Sequence, residues 1–143
     1  MSWKKVFGTL LALLLLVGCQ PKSSTLEVQN AWARPSIAGQ NDAVYFVIAN
    51  GTSQDDTLLS ASVEIASSTE LHMSMSEAND VMTMKPMQEV AVPAHQNVEF
   101  APGGYHVMLV GLAKPLEAGD TFPIRLIFKT AGQIQVQVTV KEQ

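Results

Sequence analysis

The 143-residue sequence predicts an all-β fold, a single Greek-key β-sandwich, and three observations carry that expectation. Beyond residue 25, no stretch sustains apolar residues at the three-to-four spacing of a helix. Short runs rich in Val, Ile, Phe and Tyr take its place, broken about every ten residues by Gly, Pro, Asn or Asp. The last run is the cleanest: Ile134, Val136, Val138 and Val140 alternate with Gln135, Gln137 and Thr139, the period of two that a half-buried strand requires. About eight to ten such strands in one domain favour a sandwich over an open sheet.

Taken in order, the first element is a leader. Lys4 and Lys5 precede an apolar run from Val6 to Val17, and Gly18-Cys19 closes it. The run is about a dozen residues, well short of the ~20 that span a bilayer, so residues 1–18 read as a signal peptide rather than a membrane helix. Leu16-Val17-Gly18-Cys19 resembles the bacterial lipoprotein signal, which makes Cys19 the lipidated residue and residues 19–25 a short polar tether. Cys19 is the only cysteine, so no intrachain disulfide can form, and lipidation accounts for a lone thiol in an exported chain. Gln20 after the cysteine points to the outer rather than the inner membrane, facing the periplasm. Loss of Lys4 and Lys5 with the leader leaves seven basic against thirteen acidic residues, a formal charge of −6. Such an acidic chain is not expected to bind nucleic acid.

Residues 26–143 suffice for one domain with a core of its own. Strands are expected at 26–33, 43–49, 57–63, 68–73, 81–84, 89–92, 98–100, 105–110, 121–128 and 134–140. Asn50-Gly51, Pro102-Gly103-Gly104, Ala118-Gly119-Asp120 and Ala131-Gly132 supply the turns between them. Asn50-Gly51-Thr52 also spells a glycosylation acceptor, and an Asn-Gly hairpin turn is the preferred account of it.

The chemistry is concentrated. All three histidines and every methionine except the initiator lie between His72 and Met108. Core-filling methionines should be scattered through apolar runs, whereas "LHMSMSEANDVMTMKPM" mixes them with Ser, Thr, Glu, Asn and Asp. In "GGYHVMLVG", His106 and Met108 are two apart, so on a strand both leave one face. Thioether sulfur is a soft, neutral ligand and imidazole a borderline one; without thiolate or carboxylate they suit Cu(I) better than Zn²⁺, Mg²⁺ or Ca²⁺. Two imidazoles and two thioethers leave the ion's +1 charge uncompensated, to be shielded by apolar surroundings or distant carboxylates.

The spacing His72-Met73, ten residues, Met84, twenty-one residues, His106-Val107-Met108 resembles the H(M)-x10-M-x21-H-x-M signature of the periplasmic copper chaperones called PCuAC. The likeness extends through "NAWARPS" at 30–36, "TELHMS" at 69–74, "PGGYHVMLVGL" at 102–112 and "LEAGDTFPIRLIF" at 116–128. The resemblance implies a cupredoxin-like sandwich holding one Cu(I) through His72, Met84, His106 and Met108. It also implies delivery to the copper-receiving subunit of cytochrome c oxidase, directly or with a Sco-type thiol protein. Met73 faces away from His72 if both lie on a strand, which makes it a core residue or a reserve ligand. Met82 shares strand parity with Met84 and is a second accessory candidate. Met75 and Met87 lie outside the signature, and His95, in a turn, is expected to be solvated.

Two rivals share the copper. A blue-copper electron carrier needs a cysteine thiolate beside its histidines, and Cys19 is committed to the lipid; a copper-sequestering tolerance lipoprotein would use the same ligands without donating. Hydrolytic chemistry is not expected, since no G-x-S-x-G elbow is present and no histidine has an evident carboxylate partner in the sequence. Trp32, Tyr105 and Arg34 read as packing or structural residues, and Glu77 and Asp80 as a solvated loop.

Overall fold

The computed structural model describes residues 24–142; the leader, Cys19, the tether as far as residue 23, and Gln143 lie outside the described residues. Ten strands and no helix make up the described chain: β1 (Leu26–Ala33), β2 (Asp42–Asn50), β3 (Asp56–Ser62), β4 (Ala66–Ser76), β5 (Met82–Met87), β6 (Val90–Val92), β7 (Asn97–Phe100), β8 (Tyr105–Leu112), β9 (Thr121–Phe128) and β10 (Gly132–Val140). All ten expected strands are present. The largest differences are at β4, which runs three residues further toward the hairpin tip, and at β5, which continues through Pro86 to Met87.

These strands form one sheet in the order β5-β4-β8-β7-β2-β1-β10-β9-β3-β6. Four of the nine consecutive strand pairs are sheet neighbours, and the other five connections cross over. β2 organises the sheet by dividing its partners: Asp42 to Val44 pair with β8, and Phe46 to Ala49 with β7. The first and last strands of the chain lie side by side in the middle of this order, paired in parallel, Trp32 opposite Thr139 and Ala33 opposite Val140. The sheet then curls until β3 approaches β4, where the Thr69 hydroxyl donates to the Ala61 carbonyl, so the sandwich is nearly a closed barrel.

The core follows from alternation. Val44, Phe46 and Ile48 of β2, Val107 and Leu109 of β8, Ile124, Leu126 and Phe128 of β9, and Val138 and Val140 of β10 are all buried inside the curl. Phe46 stacks on Phe100, ring centroids 4.4 Å apart. β10 keeps its expected alternation along its whole length. Two prolines sit in strands without breaking the ladder. Pro86 is on β5, an edge strand paired only with β4, and Pro123 precedes the stretch of β9 that pairs with β3; neither position needs a second set of backbone donors.

Asn50-Gly51 is not a hairpin turn, which corrects the sequence expectation. β2 pairs with β1, β7 and β8 but not with β3. Asn50 is 2% exposed; its amide donates to the carbonyls of Gln54 and Val92, and its carbonyl oxygen accepts from the Thr52 N–H and hydroxyl. The residue ties the β2–β3 crossover to β6. Its local Asn-Gly signal carried no trace of Val92, forty-two residues away.

Candidate metal centre

The period of two that builds β4 also sorts its side chains. Leu71 turns inward and is buried, while Glu70, His72, Ser74 and Ser76 share the opposite face. On β8 the same rule sends Val107 and Leu109 to the core and His106 and Met108 to the outer face. Register then aligns the two strands: His72 lies directly opposite His106, and Glu70 opposite Met108. On the other side of β4, Ser74 faces Met84 of β5 and Ser76 faces Met82. Four candidate donors from three strands therefore stand on one face.

The imidazole rings are 5.7 Å apart between centroids and tilted by 58°. A metal–imidazole bond of about 2.0–2.1 Å sets a ring centroid about 3.2 Å from the ion, so two rings on one ion stand roughly 5 to 6.4 Å apart. The observed spacing falls inside that window. Met84, His106, Met108 and Ser74 line an open cleft of about 320 Å³, with His72 beside His106 at its edge. Ser74 is buried, and its small side chain leaves room for Met84 to lie across toward β8.

Hydrogen bonds orient both rings. The His72 Nε2–H donates to Glu70 Oε2 at 2.7 Å, and the His106 Nδ1–H donates to the Gly104 carbonyl at 3.1 Å. That carbonyl also accepts the Ser74 N–H, so the turn before β8 fixes β4 and the ring together. Gly103 permits this turn, adopting a φ of 84°. Each ring is left with one lone pair, on His72 Nδ1 and His106 Nε2. Among the described residues, the buried side-chain nitrogens and oxygens without a hydrogen-bond partner are these two atoms and Asp42 Oδ2. Buried polar atoms are ordinarily paired, and Asp42 lines the same cleft as His106.

Burial holds the His106 pKa below the ordinary histidine value, assisted by His72 and opposed by the Gly104 carbonyl, so the ring favours its neutral, ligating form. Burial also raises the Asp42 carboxyl, against the Ala43 N–H and the Arg34 charge. Tyr45 packs between Trp32 (centroids 4.7 Å) and His106 (6.4 Å) and lines the same cleft. The Trp32 ring is covered in turn by the Arg34 guanidinium and the Lys141 ammonium.

The remaining sequence candidates divide clearly. Met73 lies opposite Tyr105, on the other parity of β4, with its side chain away from His72. Met82 is on the donor face but one pair further out than Met84. Met82 and Met84 are exposed, at 56% and 59%, whereas Met87, the third methionine of β5, packs partly buried against the core. His95 is exposed in a turn, with φ of 58° and its N–H on the Thr52 carbonyl. Cys19 lies outside the described residues. Sequence reasoning missed Glu70, having credited no histidine with a carboxylate partner; its position two before His72 on a strand was the available signal. Asp42 and Tyr45 come from β2, some thirty residues upstream, and no local pattern marked them. Arg34, read as structural, also lines the cleft. No three His, Cys, Asp or Glu side chains converge among the described residues, so a hard-donor cage for Zn²⁺ or Ca²⁺ is not built here. The converging set is imidazole and thioether.

Comparison with known proteins follows the same lines. The family model described as "Putative lipoprotein LpqE-like" matches residues 26–140. The "Putative lipoprotein Lxx21020" of Leifsonia xyli subsp. xyli is 32% identical over 118 residues, covering 82% of this chain and 70% of that protein. Among solved structures, the copper-bound PCuAC domain from PmoF2 superposes with a TM-score of 0.70 at 22% identity, over 83% of this chain and 94% of that one. The solution structure of CuI-DR1885 from Deinococcus radiodurans is 28% identical, with a TM-score of 0.59, over 85% of this chain and 83% of that one. The cupredoxin-like all-β fold expected from the sequence is the fold found.

Proposed function

Because the chain belongs to the LpqE-like family and folds as PCuAC domains do, we propose that it is a copper chaperone that carries one Cu(I) ion as cargo. The ligating atoms are His72 Nδ1, His106 Nε2 and the sulfurs of Met84 and Met108. One observation carries the reading: two buried imidazole lone pairs without partners, in rings spaced for one ion, on a face that also presents two thioethers. The copper in the names of two structural neighbours supports it, as does the donor chemistry, since neutral soft ligands favour Cu(I). Glu70 and Asp42 provide the negative charge that a four-neutral-ligand site lacks.

Donation follows from the ligands. Cu(I) accepts low coordination numbers, so a recipient's thiolates replace thioethers one at a time, beginning with exposed Met84. We extend the reading to an exported chain anchored through Cys19 and facing the periplasm, with residues 1–18 removed as leader, 19–25 as tether and 26–143 as the copper domain. The lipoprotein name of the curated relative supports the anchor. The proposed recipient is the copper-receiving subunit of cytochrome c oxidase, directly or with a Sco-type thiol protein. Met73, facing away from the site, is proposed as packing rather than ligand.

The test is a Cu(I) titration against a competing chelator, comparing wild type with His72→Ala, Met84→Ala and the His106→Ala/Met108→Ala double variant. One equivalent bound tightly by wild type and weakly by all three variants supports the site. Equal binding by all four proteins refutes it.

A further inference from the structure

The donor face does not end at the cleft. Six large hydrophobic side chains are exposed among the described residues, and four of them, Met75, Val81, Met82 and Met84, fall in the β4–β5 hairpin beside the candidate centre. Apolar side chains gathered on an edge strand promote association and are ordinarily replaced by charge. Core filling does not explain Met82 or Met84, because more than half of each is in solvent. Their positions are ordered. They are two apart on β5, on the donor face, with Cα atoms about 6.5–7 Å apart, and the β4 residues opposite them are the small Ser76 and Ser74. Three rotatable bonds in each side chain let the two sulfurs converge above those serines.

We infer that Met82 and Met84 form an outer two-thioether station for Cu(I), through which the ion passes between external donors and the inner histidines. The inference rests on the copper reading of the inner site. Exposure falls steeply along the route, from Met82 and Met84 at the surface to His106 at 2%. Met84 belongs to both ends: with Met82 it holds the ion outside, and with Met108 and the imidazoles it holds it inside. Each step is a ligand substitution, in which a sulfur–copper or nitrogen–copper bond forms as another breaks. The ion stays Cu(I), the thioethers stay neutral, and no electron or proton moves. Two neutral donors bind weakly enough to release the ion in either direction, as a relay requires.

Met75 provides the control. It is also exposed, but it pairs with Thr83 on the opposite face of the hairpin. The full chain is mixed with the Cu(I)–bicinchoninate complex in a stopped-flow instrument, and loss of the chelate's colour gives the uptake rate. Met82→Leu, which keeps the volume and apolarity, is expected to slow uptake by on the order of tenfold, the effect of about 1.4 kcal/mol lost from the transition state. Met75→Leu should keep the wild-type rate. In a parallel arm, the His106→Ala/Met108→Ala chain, whose inner site is disabled and whose Met84 is free for the outer station, is labelled with ¹³C at its Met methyl groups, and its Met82 resonance should shift as Cu(I) is added. Wild-type uptake by Met82→Leu, equal slowing by Met75→Leu, or an unmoved Met82 resonance overturns the station. Failure of wild type to bind a first equivalent tightly defeats the inner-site reading instead, and the station with it.

Discussion

Glu70 sets the tautomer of His72 and so decides which nitrogen is left free to meet the proposed ion. With Nε2–H held by the carboxylate at 2.7 Å, the lone pair is confined to Nδ1, which is buried and without a hydrogen-bond partner. Partners behind a ligating histidine typically change metal affinity about 10–100-fold when removed. Glu70→Ala is therefore expected to weaken Cu(I) binding by about tenfold, and Glu70→Gln, whose amide oxygen still accepts the N–H, to recover most of it. The Glu70 side chain is half exposed, and such pairs add little to folding, so both variants should unfold near the wild-type temperature. Chelator competition checks the affinities and a thermal melt checks the fold. If Gln proved as damaging as Ala, orientation of His72 would not be the role of Glu70.

At the scale of elements, β3 is fastened to the β9–β10 hairpin by its first residue. Asp56 accepts the N–H groups of Thr57 and Thr130 on one oxygen and of Ala131 on the other, at 2.7, 2.8 and 2.8 Å. Burial pushes its pKa up, but these bonds together outweigh burial and hold it below 3.8. A carboxyl with a depressed folded pKa stabilises fully above its unfolded value and loses that contribution as pH falls through the folded one. Asp56→Asn, which turns an amide toward a backbone donor, should cost about 2–3 kcal/mol at pH 7. The gap from wild type should narrow near pH 2. Urea unfolding at both pH values tests this, and a gap independent of pH would assign the loss to packing. None of this was legible beforehand, because Asp56 sits at a strand start and two of its three partners lie more than seventy residues on. What could be read was local. β1 and β9 match their expected bounds to the residue, and period-two spacing placed His106 and Met108 on one face before any pairing was known. β5 was read as ending at Met84, and only its edge position, a property of the whole sheet, lets it run on through Pro86. Asn50-Gly51 misled for the same reason, its partner being remote.

At the scale of the molecule, the candidate ligands come from β4, β5 and β8, and they differ in how firmly the sheet holds them. β8 lies between β4 and the β2–β7 pair, with Val107 and Leu109 in the core, whereas β5 is paired on one side only and four of its six residues are exposed. An ion bound by Met84 and the two histidines therefore ties the loosest strand to one of the firmest. Ligand binding to the folded state stabilises it by RT ln(1 + [L]/Kd), about 2.7 kcal/mol at a hundredfold excess over Kd. For a domain of this size that is a rise in melting temperature of roughly 10 °C. The gain should not be uniform, since local opening of an edge strand costs less than global unfolding. With Cu(I) bound, amide exchange should slow most in β5 and least in β9, which lies between β10 and β3, distant from the site in the sheet order. Hydrogen exchange followed by mass spectrometry on the metal-free and Cu(I)-loaded chain makes the comparison. Met84→Leu should abolish the β5 protection while leaving any protection of β8 by His106 and Met108. A rise in melting temperature with β5 exchanging as fast as before would mean that the ion is held by β4 and β8 alone, and that Met84 is no ligand of the resting site.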